Sequence, residues 1–147
     1  MNPGFDYIGI STAFICHDVN GNVLLSKRSQ NCRDEQGTWE FGGGKLEFGS
    51  TLEENLLREI KEEYGCEGKI EEKLPPITLL RNNRDGKTHW LAVPYIVRVN
   101  SSEAKLNEPE SQDEIGWFRL DELPHPFHTG AMSILEAYQD RFKKYIA

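Results

Sequence analysis

Residues 50–65 can be little other than a helix, and the faces of that helix restrict everything around it. Ser50 and Thr51 are both N-cap residue types, with Glu53 and Glu54 three positions on to complete a capping box. Leu52, Leu56, Leu57, Ile60 and Tyr64 then recur at helical spacing, and Gly65 supplies a C-terminal stop. The apolar arc must be buried. Beside that arc, rather than opposite it, Glu59, Glu62 and Glu63 stand at i, i+3 and i+4, so three carboxylates share one face at the edge of whatever the helix covers.

The surface it covers is expected to be a sheet. Ile10 to His17 is a β-branched and aromatic run that meets the turn signal Asp18-Val19-Asn20-Gly21-Asn22 before Val23-Leu24-Leu25 resumes, which predicts a hairpin. Ser29 to Thr38 reads as a loop, and Trp39-Glu40-Phe41 as a short strand entering Gly42-Gly43-Gly44. After the helix, Ile70 to Asn82 and Thr88 to Asn100 are strand-like around Arg84-Asp85-Gly86-Lys87, a second hairpin signal. Pro75-Pro76 and Pro94 mark edge positions or bulges. Asn100 to Asp113 is a long polar loop of the kind that carries function, Ile115 to Leu120 a strand, and Asp121 to Pro124 a short helical turn. Ala131 to Tyr145 has the spacing of a second helix. Strands, helix, strands, helix is an α+β order, with the sheet expected between the two helices in a single domain spanning 1–147.

A net charge of -7 argues against a nucleic-acid partner, since such proteins cluster Lys and Arg, but leaves room for a small polyanion arriving as a metal complex. No apolar run approaches the ~20 residues of a membrane span, and the first residues lack a basic, apolar leader, so a cytoplasmic protein without membrane association is expected. Cys16, Cys32 and Cys66 lack metal-type spacing and are expected as free thiols.

Three like charges on one helix face cost a few tenths of a kcal/mol per i,i+4 pair unless a cation sits among them. A hard divalent cation such as Mg²⁺ suits that set, because it takes a few carboxylate oxygens and keeps positions open for substrate phosphates. In isolation the same pattern also describes a solvated acidic face.

The spacing to the glycines narrows the choice. Gly44, five residues, Ser50, seven residues, then Arg58-Glu59-Ile60-Lys61-Glu62-Glu63-Tyr64-Gly65-Cys66 resembles the signature box of the Nudix hydrolase (MutT-like) family, G-x5-E-x7-R-E-U-x-E-E-x-G-U with U apolar. Val23 to Arg28, Gly37 to Phe41 and Glu114 to Pro124 are similar to that family's flanking and closing strands. Two positions depart: Ser50 replaces the first Glu of the box, and Gly42 stands where many members have Pro. In the family that Glu is chiefly a partner of the box Arg, so Ser50 bears on loop rigidity more than on metal binding. Glu47 is then a candidate to take over the contact with Arg58.

The resemblance implies a Nudix fold, a mixed curved sheet sandwiched between the box helix and a C-terminal helix. It also implies hydrolysis of a nucleoside diphosphate linked to another group, with Mg²⁺ as cofactor or Mn²⁺ as substitute. Glu59, Glu62 and Glu63 would be metal ligands, joined by the Gly44 carbonyl. Glu59 is the first candidate general base and Glu114 the second. Arg28 and Lys45 are phosphate candidates, and Glu47 belongs with them at the substrate side. Trp39, Trp90, Trp117 and Phe118 are candidates to stack on a base, and His125 and His128 are candidates to line the mouth of the site, with a turn-forming role the favoured reading. Family members acting on ADP-ribose or dinucleoside polyphosphates carry a Pro or a Tyr about sixteen residues after the box, where this chain has Asn82 and its neighbours. The coenzyme A subgroup's motif is also missing. By elimination, and because Lys45-Leu46-Glu47-Phe48-Gly49 and Asn107-Glu108-Pro109-Glu110 are similar to members acting on nucleoside triphosphates, the resemblance implies a (deoxy)nucleoside triphosphate as substrate, in one version with an oxidised base. The alternatives are an ADP-ribose or nucleotide-sugar pyrophosphatase, and a nucleotide-binding regulatory domain with weak hydrolysis. Either a monomer or a homodimer is compatible with the chain.

Overall fold

The structure is a computed structural model that describes residues 1–83 and 86–146. Its elements, in order, are β1 (Gly9–His17), β2 (Asn22–Arg28), β3 (Trp39–Glu40), β4 (Gly43–Lys45), α1 (Leu52–Tyr64), β5 (Gly68–Lys73), β6 (Ile77–Asn83), β7 (Gly86–Val99), β8 (Gln112–Arg119), α2 (Thr129–Ala137) and α3 (Gln139–Tyr145). The strands join one mixed sheet. β1 and β7 run parallel from Gly9↔Trp90 to His17↔Arg98, and every other pairing is antiparallel. The β1–β2 and β6–β7 hairpins form as the turn signals predict, although Arg84 and Asp85 themselves lie outside the described residues.

The period-2 alternation of β1 sorts its side chains into two cores. Phe14 and Cys16 face α1, packing with Leu56, Ile60, Tyr64, Tyr95 and Val97. Ala13 and Ile15 face the other way, toward Ile96, Ala131, Ile134, Phe142 and Ile146. The sheet is thus covered by α1 on one face and by α2 and α3 on the other.

Three sequence expectations change in detail. The C-terminal helix is two helices rather than one, because Tyr138 leaves helical geometry (φ -127, ψ 28) and donates its hydroxyl to the Pro75 carbonyl. This bend still lets Phe142 reach the core. Pro94 sits in the central strand β7, not at an edge, at the point where β7 exchanges partner β6 (Ile77↔Ala92) for β5 (Lys73↔Tyr95). Its carbonyl accepts from Leu74 N–H on that side, so the N–H it lacks would have pointed into the break between the two partners. Finally, Gly43–Lys45 is itself a strand, paired with Ser11–Ala13.

At α1 the helix signals operate locally as written. Thr51 is the N-cap, its side chain accepting from Glu54 N–H while the Glu54 carboxylate accepts from Thr51 N–H. Gly65 closes the helix in the left-handed region (φ 66), where glycine carries no Cβ penalty. No described helix is long and apolar enough to cross a membrane.

Candidate functional site

The site is built where α1 presses against β4. A Cβ on Gly44 would lie 2.3 Å from the Glu59 carboxyl carbon, so only glycine lets the backbone and that carboxylate approach this closely. One turn on, Glu63 reaches the same strip and takes a hydrogen bond from Gly43 N–H. Glu62 is exposed at the outer edge, with the Arg58 guanidinium 4.0 Å from its carboxylate.

The electrostatics of this strip are unfavourable on their own. Burial, then the charge of Glu62, pushes the half-buried Glu59 carboxyl from 4.5 to about 7, helped by Glu108 and Glu47 and opposed by Arg58. Glu63 is packed round by protein, although its surface is not wholly closed, and rises well above the carboxylate range through burial, Glu40, Glu108 and Glu59. Among the described residues no three acidic, His or Cys side chains already converge on one point as a closed metal cage. The donors nevertheless suit a divalent cation: hard oxygens, held together partly out of water, whose mutual repulsion a positive ion would relieve.

Glu108 was not singled out from the sequence, and the structure brings it here. Its loop caps the C-terminal carbonyls of α1: Lys105 N–H donates to Tyr64 O, Asn107 N–H to Glu63 O, and Asn107 Nδ2 to Glu62 O (3.0 Å) and Lys61 O. Burial and Glu62 raise the Glu108 carboxyl in turn. Glu114 is exposed on β8 opposite Lys27, whereas Glu108 is among the charges that raise both Glu59 and Glu63. The sequence signals for Glu108 were its place in a long polar loop and the likeness of Asn107-Glu108-Pro109-Glu110 to triphosphate-acting members, neither of which places it beside Glu59.

Arg58 is held by Ser50 and Asn55. Its Nη1 donates to Ser50 Oγ (3.1 Å) and its Nη2 to Asn55 Oδ1, so the contact expected of the Glu47 side chain falls to these two residues. Glu47 itself is exposed, and its backbone N–H is what meets Asn55.

Beside the glycine strip lies an open cleft of about 270 Å³ between the sheet and α2. Ser11, Ala13, Leu79, Trp90 and Ala92 form its floor, Gly130, Ala131 and Ile134 its far wall, and Lys45 its rim. Of the four aromatics considered for stacking, Trp90 alone lines it. Trp39 and Phe118 pack edge to face in the core, and Trp117 packs on the α1 side. Part of the Trp90 indole is already covered by Gly4 and Gly9.

The polar end of the cleft is an ordered network. Arg28 lines it but spends its donors internally, on the Asp34 carboxylate (2.9 Å) and carbonyl and on Glu40 (2.8 Å). Burial would raise the Asp34 carboxyl, but Arg28, Arg81 and Arg33 hold it below the ordinary range. His128 caps α2: its Nδ1 accepts from Gly130 and Ala131 N–H, which places the ring hydrogen on Nε2, facing Glu35 at 3.0 Å. Burial keeps the ring neutral by lowering its pKa. Arg81 Nη1 donates to the same Glu35 oxygen, so its 3.1 Å approach to His128 Nε2 is two donors sharing one acceptor. The Arg81 Nε is buried without a partner. His125 is exposed and stands apart from this network.

A family model described as the NUDIX domain matches residues 9–138. Over 107 residues the chain is 32% identical to an ADP-ribose pyrophosphatase of Methanocaldococcus jannaschii, a match covering 73% of this chain and 60% of that protein. It is also 32% identical over 114 residues to nucleoside triphosphatase NudI of Escherichia coli, covering 72% of this chain and 79% of that one. A solved MutT NUDIX hydrolase from Burkholderia pseudomallei superposes with a TM-score of 0.74 at 29% identity, over 89% of this chain and 98% of the other. The chain therefore spans less than two thirds of the archaeal relative's length.

Proposed function

The chain belongs to the NUDIX domain family, and from that premise we propose that it hydrolyses a pyrophosphate bond in a nucleoside diphosphate linked to another group, with a (deoxy)nucleoside triphosphate as the favoured substrate and Mg²⁺, or Mn²⁺ in its place, as cofactor. The observation that carries this reading is the Glu59 carboxyl against the Gly44 backbone, half out of water and under pressure from Glu62 and Glu108. Such a carboxylate gains most from a cation and least from solvent.

Glu59, Glu62 and Glu63, with the Gly44 carbonyl, would hold the metal. When bound, it lowers the pKa of a coordinated water and offsets charge on the phosphates. With Glu59 committed as a ligand, Glu108 is the neighbouring carboxylate left to accept a proton, and burial already raises its affinity for one. Lys45 at the cleft rim is placed to meet a phosphate as a point charge. Arg28 acts through Asp34 and Glu40, fixing two acceptors at the polar end of the cleft. The nucleoside is assigned to that cleft, against Trp90, where amino groups of a base meet carboxylates.

A nucleotide panel in Mg²⁺ or Mn²⁺, with products separated by ion exchange, tests the reading. Expected is release of pyrophosphate or phosphate from a triphosphate, lost by a factor on the order of 10² or more in Glu62→Gln. The archaeal relative's name supports a second reading, ADP-ribose as substrate. Turnover of ADP-ribose with none of any triphosphate selects that one. Nucleotide binding without any release selects a regulatory role.

A further inference from the structure

Asn55 is an anomaly on α1. It is fully buried, yet it is a poor helix former with two donors and two acceptor sites to satisfy. The structure satisfies nearly all of them, each toward a different element. Its Oδ1 accepts from Glu47 N–H in the loop (3.1 Å) and from Arg58 Nη2 on α1, and its Nδ2 donates to Thr12 Oγ1 on β1 (3.0 Å). Thr12 is in turn the β1 partner of Gly44. Asn55 also stands four residues before Glu59, hence directly above it on the same helix face. One amide therefore ties the loop, the helix and β1, the strand on which Gly44 is registered, together one turn from the close approach of Glu59 to Gly44.

This bears on Ser50. Where the family pattern places a carboxylate to hold the box Arg, this chain has a hydroxyl that accepts a single bond from Arg58 Nη1. Asn55 Oδ1 supplies the second acceptor. We propose that Asn55 is a positioning residue of the site: with Ser50 it replaces the missing carboxylate as the brace between Arg58 and the 45–50 loop, and so sets the distance between α1 and Gly44. For its kinetic consequence the proposal rests on the hydrolase reading; for its structural consequence it does not.

The test is a cycle of Asn55→Ala, Ser50→Glu and the double variant, read by steady-state kinetics in Mg²⁺ and by amide hydrogen exchange at Glu47. Asn55→Ala should lower kcat on the order of 10- to 100-fold, with KM within about threefold, since the loss is of geometry rather than of substrate contact. The Glu47 amide, deprived of its acceptor, should exchange at least about tenfold faster. Ser50→Glu alone should change kcat less than about twofold, because Arg58 is already held; in the Asn55→Ala background it should restore most of the loss, since a carboxylate then takes the freed guanidinium. Equal effects of Ser50→Glu in both backgrounds, or Asn55→Ala with unchanged kcat and exchange, would overturn the proposal. If Asn55→Ala does not fold, Asn55→Asp decides: it keeps both acceptor bonds and should retain at least about half of kcat and slow Glu47 exchange, and failure of either refutes the brace. A wild-type protein that hydrolyses no nucleotide sinks the hydrolase reading alone, and the exchange comparison then judges the brace.

Discussion

Replacing Glu59 with Gln should make the metal-free protein more stable while removing the proposed hydrolysis. In the folded chain the Glu59 carboxyl sits at about 7 against 4.5 for the free side chain, first because of burial and then because of Glu62. A carboxyl whose folded pKa is raised binds its proton more tightly in the native state than in the unfolded one. Stability is therefore lost as pH rises through the interval from 4.5 to about 7, and stays lost above it. At about 1.4 kcal/mol per decade, that interval corresponds to about 3.4 kcal/mol for a fully enclosed group. Glu59 is only half enclosed, and solvent screening reduces the effect to about 1.5 kcal/mol. Gln keeps the shape and carries no charge. Thermal melts in EDTA at pH 8 should thus place Glu59→Gln about 3–6 °C above wild type, shrinking to about 1 °C at pH 5, where the wild-type carboxyl is protonated in the fold. Millimolar Mg²⁺ should raise the wild type and leave the variant nearly unmoved. A variant that melts at or below wild type at pH 8 would refute the claim that Glu59 is held against its preference.

Thr51→Ala removes the N-cap of α1 and should cost about 1 kcal/mol in urea unfolding, with Ser50 unable to substitute because its hydroxyl is committed to Arg58. His128→Asn keeps a cap acceptor for α2 but removes a titrating ring. Because burial holds the His128 pKa below its ordinary 6.5, the wild type should lose stability as pH falls below that value, and the variant should lose less between pH 7 and 5.5.

The parts of this fold that could be read from the chain are those whose causes are local. The capping box at Thr51, the arc from Leu52 to Tyr64 and the stop at Gly65 each act within one helix, and the structure repeats them. β4 was hidden because two of its three residues, Gly43 and Gly44, carry no side-chain alternation; their strand state comes from pairing with Thr12 and Ala13 across the sheet. The break at Tyr138 was hidden for a related reason, since no Gly or Pro marks it and its cause is a hydroxyl reaching Pro75. In the site, the chain shows the spacing of Glu59, Glu62 and Glu63 but not the company they keep. Glu108 is brought there by Asn107 bonding the end of a helix more than forty residues earlier. Asn55 reads as one more polar residue in a spacer until the fold closes three elements around its amide.

The sorting of alternate β1 residues into two cores has a consequence for how such a protein can change over time. Phe14 and Cys16 support the face that holds the acidic helix, whereas Ala13 and Ile15 belong with α2, which walls the cleft. Substitutions that reshape the cleft can accumulate on odd-numbered positions of this strand while the carboxylates stay registered by the even-numbered ones. A lineage can thus try new cleft linings without repeatedly rebuilding the acidic strip on the other side of the sheet.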